Sequence, residues 1–214
     1  DKVTSLDLSE NQITSLPDGF LDNMTGLTSF HADSNYLEEL PANFFKNNKN
    51  LEWVSIRANK LSKINTGDFA GLSALKYLEL DNNWIKTIAE GAFTGDTALD
   101  QFSFSGNLLE TLPADMFKDA GKSLTFLNLS RNLFETLPSC INDAAKLKKL
   151  IAYNNVLTSI ADVDFSKMTE LTEVNFMKNY IAEIKDGTFA KNSHLLSVDL
   201  HDNQLTNLSG SVFA

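Results

Sequence analysis

The residues with catalytic potential are few and poorly placed for it. The 214-residue chain has three histidines, His31, His194 and His201, and one cysteine, Cys140. His201 lies near Asp199 and Asp202, but one imidazole and two carboxylates on a solvent-facing strand read as a polar turn, not as a metal site. Cys140 alone makes neither an internal disulfide nor a cysteine-based zinc site, and no base stands at a spacing that would activate it. No glycine-rich phosphate loop is present. The reading is therefore of a protein that is not an enzyme and needs no cofactor. Its remaining chemistry lies in large aromatic side chains, Trp53, Tyr77, Phe126 and Tyr153, of the kind that anchor recognition surfaces.

What positions them is a repeat. Asparagines stand at Asn11, Asn35, Asn59, Asn83, Asn107, Asn132, Asn155, Asn179 and Asn203, with gaps of 24, 24, 24, 24, 25, 23, 24 and 24 residues. Around each the text reads L-x-x-L-x-L-x-x-N-x-L-x-x-L, as in Leu75, Leu78, Leu80, Asn83, Ile85 and Ile88. The L-x-L step has period two, so it predicts a strand with both apolar side chains on one face. One such strand cannot bury that face alone. Stacked copies can, and their strands then form one parallel sheet. The asparagine amide both donates and accepts, so the spacing predicts an inward ladder serving backbone groups of its own coil and the next.

Other columns keep the same register. Pro17, Pro41, Pro113 and Pro138 each follow a leucine, where the chain leaves the turn extended. Gly19, Gly67, Gly91 and Gly187 share a column that calls for unusual dihedrals. Phe45, Phe69, Phe93, Phe117, Phe165, Phe189 and Phe213, with Leu21 in the first copy, predict an aromatic spine on the convex side. The sixth copy lacks its phenylalanine, and Ile141 is expected to substitute, with a local change of backbone.

This pattern, best seen in Leu99, Phe102, Phe104, Asn107, Leu109, Leu112, Pro113 and Phe117, resembles the typical 24-residue class of leucine-rich repeats from Val3 to Phe213. The resemblance implies an α/β solenoid, a curved horseshoe with a parallel β-sheet on the concave face and irregular or 3-10 segments on the convex face. It implies one domain over residues 1–214, of nine repeats. Members of the class are mostly extracellular receptors, adhesins and matrix proteins, usually closed by cysteine-rich caps. No caps are visible here, and the repeat already runs at Val3 and still runs at Phe213, so a fragment or processed chain is expected.

Strand residues between the leucines face away from the core and are free to select a partner. Most are polar: Ser5, Asp7, Ser9, Ser29, His31 and Asp33, then Ser55, Asn128, Ser130 and Asn175. Two clusters break that rule. One is Trp53, Arg57, Tyr77, Glu79 and Asp81. The other is Phe126, Ile151, Tyr153 and Met177, edged by Lys149 and by Arg131, Lys148 and Lys178. Trp84, Leu108, Leu133, Val156 and Tyr180 follow the ladder asparagines and either pack between copies or extend the binding surface.

The formal charge is −10, which gains nothing from counterion release, so no nucleic-acid partner is expected. No stretch approaches the ~18 apolar residues of a membrane span, and no apolar leader precedes the repeats, so a signal peptide is absent or removed. The expected function is non-catalytic recognition of a protein or peptide by the concave face. A glycan or a second copy of the chain, as a concave-face homodimer, are the alternative occupants. An extracellular or cell-surface location follows from the resemblance and from three glycosylation sequons, at Asn23, Asn128 and Asn207. The lone cysteine favours the alternative, a cytoplasmic scaffold, regulatory subunit or targeting module of a larger enzyme.

Overall fold

Each L-x-L step becomes a three-residue strand. The computed structural model describes residues 2–214. Its strands are β1 (Ser5–Asp7), β2 (Ser29–His31), β3 (Trp53–Ser55), β4 (Lys63–Ile64), β5 (Tyr77–Glu79), β6 (Thr87–Ile88), β7 (Gln101–Ser103), β8 (Phe126–Asn128), β9 (Lys149–Ile151), β10 (Glu173–Asn175) and β11 (Ser197–Asp199). Nine of them form one parallel sheet in chain order, with β4 and β6 set apart as a separate pair. The middle residue of each concave strand points inward: Phe30, Val54, Leu78, Phe102, Leu127, Leu150 and Val174 are fully buried. Leu6 and Val198, on the outermost coils, are only half-buried because each lacks a neighbour on one side. Burial of such a side chain contributes roughly 1.5–3 kcal/mol, so stability comes from stacking and not from any coil alone.

The asparagine ladder is present, with one correction. Each internal asparagine joins its own coil to the preceding one, not to the next. Asn59 donates from Nδ2 to the carbonyls of Ala32 (2.8 Å) and Arg57 (3.1 Å), and its Oδ1 accepts from the Leu37 N–H at 2.9 Å. The pattern repeats from Asn35 to Asn203. Asn11, exposed on the first coil, bonds only within that coil, to the Leu8 and Ser9 carbonyls.

The turn that aims the ladder was not foreseen. The residue before every ladder asparagine has a left-handed backbone: Glu10, Ser34, Ala58, Asn82, Gly106, Arg131, Asn154, Lys178 and Asp202, with φ between 52° and 71°. Five of these nine, Glu10, Ser34, Ala58, Arg131 and Lys178, are neither Gly, Asn nor Asp, so there the hydrogen-bond pattern holds a conformation that the side chain disfavours. The predicted glycine column also has positive φ at Gly19, Gly67, Gly91 and Gly187.

The convex side carries turns and four 3-10 segments, Ala120–Lys122, Ser139–Asp143, Phe165–Lys167 and Gly210–Phe213. The Phe spine is interrupted, not continuous. Phe45–Phe69–Phe93 stack at one end, and Phe165–Phe189–Phe213 pack at the other. Phe117 is buried but joins no aromatic pair among the described residues, and Ile141 fills the next place, fully buried, within a 3-10 segment. The extra residue of the 25-residue gap is absorbed here. Gly121 lies so close to the neighbouring coil that a Cβ would fall 2.1 Å from the Asp143 carbonyl oxygen. The concave register is therefore untouched, with Gln101 opposite Phe126 and Phe126 opposite Lys149. Strands β4 and β6 form where the proline column holds Asn65 and Ala89: the Ala89 N–H donates to the Ile64 carbonyl at 2.9 Å, a bond that proline at Pro113 cannot continue.

Candidate functional site

The pairing of strands sorts the outward residues into rows. The first reads Ser5, Ser29, Trp53, Tyr77, Gln101, Phe126, Lys149, Glu173 and Ser197. The second holds Glu79, Ser103, Asn128 and Ile151, and the third continues past the strand ends through Arg57, Asp81, Tyr153 and Met177. Trp53 and Tyr77 thus stand side by side, and Phe126 is two strands beyond Tyr77, across Gln101.

In the first predicted cluster Trp53 is 43% exposed and Tyr77 37%, with ring centroids 6.0 Å apart. The Trp53 Nε1–H donates to Glu79 Oε2 at 3.1 Å, and His31 packs edge-on to the indole at 4.8 Å. Arg57 donates twice to one oxygen, Asp33 Oδ2, from Nε at 3.0 Å and from Nη2 at 2.8 Å. That hydrogen bond raises the Arg57 pKa, helped by Glu79 at 3.8 Å. Asp81 faces a different task. Its Oδ1 accepts from Ser103 Oγ (2.5 Å) and from the Ser105 N–H (2.6 Å), and burial pushes its carboxyl pKa up. The carboxylate is a fastener between coils, and Asp33 repeats the arrangement with Ser55 and Arg57.

These fasteners correct the reading of the serines. Ser55 and Ser130 point to the concave side yet are fully buried, because a neighbouring Asp33 or Asn128 side chain folds over each hydroxyl. Glu79 is the first-cluster carboxylate on the concave face that is not consumed in this way.

The second cluster is more recessed. Phe126, Ile151, Tyr153 and Met177 are each half-buried on the sheet surface, not between coils. Lys149 pairs with Glu173 at 2.9 Å and Lys148 approaches Glu170 at 3.9 Å, so the predicted basic window is partly neutralised. Arg131 and Lys178 carry no ion pair among the described residues. His201 lies 3.4 Å from Asp202, and Asp199 accepts from the His201 backbone N–H. Among the described residues no three His, Cys, Asp or Glu side chains converge as a metal site would require.

The structure joins parts of the two clusters. A cleft of about 380 Å³ is lined by Trp53, Tyr77, Glu79 and Phe126, together with Leu78, Gln101, Phe102 and Ser103. Gln101 and Ser103 were missed by the sequence reading because both are ordinary polar strand residues. The hollow is left where small Ser103 and the ringless Gln101 stand among three aromatic rings. Ile151, Tyr153 and Met177 lie outside it, farther along the same face.

The column after the ladder asparagines lies at the surface. Trp84 is 54% and Tyr180 51% exposed, with Leu108, Leu133 and Val156 between them. The column also contains Tyr36 and Lys60, which the sequence reading passed over although their period placed them there. Lys60 Nζ lies 5.1 Å from the Tyr36 ring and 5.7 Å from that of Trp84, a cation held between two aromatic neighbours.

A parallel-sheet solenoid with an asparagine ladder and an open concave face defines a class of protein, and sequence comparison agrees with it. A family model described as Leucine rich repeat matches residues 25–85 and 76–134. One described as BspA type Leucine rich repeat region (6 copies) matches 110–214, and a further Leucine Rich Repeat model matches 2–24. The chain belongs to the leucine-rich-repeat family. A search of curated proteins finds no match. Among solved structures, a leucine-rich-repeat protein of Leptospira interrogans superposes with a TM-score of 0.77 at 22% identity, over 95% of this chain and 56% of that one. The Drosophila Toll–Spatzle complex gives 0.73 at 22%, over 93% and 31%. YopM, a leucine-rich effector protein from Yersinia pestis, gives 0.70 at 22%, over 93% and 49%. This chain spans 31% to 56% of those solved chains, and at such identity the likeness is one of fold. Among the described residues no helix is long and apolar enough to cross a membrane.

Proposed function

We propose that this chain is a non-catalytic recognition domain that binds a protein or peptide through its concave face, in an extracellular or cell-surface setting. The observation that carries the reading is the cleft bordered by Trp53, Tyr77 and Phe126 on a sheet whose other outward residues are mostly polar. Exposed aromatic side chains on a rigid surface lose little conformational freedom on binding and dominate interface energetics. Arg57, Glu79, Lys149, Ile151, Tyr153 and Met177 would form the surrounding contacts, while Asp81 shapes the face from beneath. The Toll–Spatzle structure shows a complex built on a similar fold, which supports a protein ligand over a glycan or a second copy. A second reading, an intracellular one, is favoured by the single buried thiol of Cys140 and by the likeness to the effector YopM.

The test is quantitative capture of partner proteins from the source organism by immobilised wild-type chain, by the double variant Trp53→Ala/Phe126→Ala and by Lys185→Ala on the far side. The double variant is expected to lose roughly 30- to 900-fold in affinity, as two interface aromatics at about 1–2 kcal/mol each imply, while Lys185→Ala binds as wild type. Equal binding by all three removes the concave site. Light scattering separates the homodimer: a second copy as occupant would make the wild type dimeric and the double variant monomeric.

A further inference from the structure

The concave cleft has the walls and the charge of a pocket for a cation. Tyr77 and Phe126 are two strands apart in the first row, which sets their backbones about 10 Å from each other. Only Gln101 stands between them. A planar group stacked on one ring needs about 3.5 Å, so the hollow admits a flat head and its methylene stem. Trp53 closes one end, and an indole is the strongest of the aromatic partners for a cation.

The electrostatics point the same way. Arg57 gives two donors to Asp33 Oδ2, and Lys76 is taken by Glu52 at 2.8 Å. Glu79 keeps one hydrogen bond, from the Trp53 Nε1–H, and only a loose 3.8 Å approach from Arg57. A carboxylate has about four lone-pair directions, so Glu79 retains acceptor capacity toward the cleft. The Ser103 hydroxyl is already committed to Asp81, and no basic side chain lines the cavity. The edge of the solenoid shows that this chain already seats a cation between aromatic rings, with Lys60 lying between Tyr36 and Trp84.

We propose that the cleft bounded by Trp53, Tyr77 and Phe126 receives an arginine side chain of the partner protein, stacked on the rings and paired with Glu79. The proposal rests on the concave-face reading and adds the identity of the anchor. A guanidinium suits the cleft because it is flat, stacks on aromatic faces and pairs with a carboxylate through two parallel donors. An acidic anchor would be repelled by the Glu79 carboxylate, and an apolar one would leave its remaining acceptor positions without a donor.

The experiment follows the Trp53 indole N–H by ¹⁵N–¹H NMR, with its signal assigned by comparison with Trp84→Phe. The full chain is titrated with the capped peptide Gly-Gly-Arg-Gly-Gly and with the same peptide carrying citrulline in place of arginine. Citrulline keeps the shape and loses the charge. The expected result is a saturable shift with the arginine peptide and binding at least about tenfold weaker with citrulline. Glu79→Gln, isosteric and exposed to the cleft, should weaken the arginine peptide by a similar factor and leave the remaining spectrum in place. Equal binding of the two peptides, or no saturable response to arginine, overturns the proposal. Capture that depends on Trp53 and Phe126 alongside either of those results would sink the arginine anchor alone; loss of both would sink the concave site as well.

Discussion

Asn107→Ala is expected to lower the unfolding free energy by roughly 3–5 kcal/mol, whereas Asn207→Ala should change it by less than about 0.5 kcal/mol. The two differ only in what the amide touches. Asn107 is buried, accepts from the Ile85 N–H at 3.0 Å and donates to the carbonyls of Leu80 (3.0 Å) and Phe104 (2.9 Å). After truncation the Leu80 and Phe104 carbonyls each keep one ladder partner, from Asn83 and Asn132. The Ile85 N–H keeps none. One orphaned buried donor costs about 1–3 kcal/mol, and two weakened acceptors and a small cavity add the remainder. Asn207 is exposed on the last coil. Because coils are stabilised by their neighbours, the interior break should also reduce cooperativity, seen as a broader urea transition. A loss below about 1 kcal/mol for Asn107→Ala would mean that the ladder does not hold the coils together.

The second large effect is a dependence of stability on pH that originates at Asp96. This side chain is fully buried on the convex side, where Oδ1 accepts from the Leu72 N–H at 2.9 Å and Oδ2 has no partner. Burial pushes its pKa up to about 8, with the Leu72 N–H and Lys49 acting against the shift and Asp119 adding to it. The sign follows from proton counting. Below about pH 4 both folded and unfolded chains hold the proton, so Asp96 contributes no pH dependence. Between about pH 4 and pH 8 the folded chain keeps it and the unfolded chain releases it, so stability falls as pH rises, by up to about 1.4 kcal/mol per pH unit. Above about pH 8 the full destabilisation remains. Asp96→Asn, which keeps the acceptor and carries no charge, should match the wild type near pH 4 and exceed it by several kcal/mol at pH 8, on the order the linkage implies. Urea unfolding of both proteins across that range reads the difference directly. A difference that does not change with pH would show that Asp96 is ionised in the folded chain.

Much of this architecture is legible in the sequence because stacking forces every coil to repeat the same decision. The leucine period fixes which strand residues are buried, and nine asparagines in register mark the ladder. What was not legible depends on contacts between coils. The direction of the ladder bonds is set by which neighbour lies under each amide. The left-handed residue before each asparagine is Asn, Asp or Gly in four coils, types that tolerate that backbone, but Glu, Ser, Ala, Arg or Lys in the other five, so residue preference announces it only in part and the hydrogen bonds impose it in the rest. The small β4–β6 pair is permitted by the absence of proline at Asn65 and Ala89, an absence that a pattern search does not weigh.

The candidate site divides the same way. Trp53, Tyr77 and Phe126 stood out as large side chains at outward positions. Their union into one cleft needed the strand register across the 25-residue gap, and it needed Gln101 and Ser103 to leave room. Asp81 looked like a binding residue and proves to clasp Ser103 and Ser105, a role visible only when adjacent coils are placed together.

Site-specific photo-crosslinking tests the central claim most directly. A benzophenone side chain is placed at Lys149, exposed beside Phe126 at the rim of the concave cleft, and separately at Lys185, away from it, and each protein is irradiated with extracts of the source organism. The account predicts a discrete crosslinked partner from position 149 that Trp53→Ala/Phe126→Ala abolishes, and no such adduct from position 185. A partner captured from position 185 but not from 149 would place recognition on another face and contradict it.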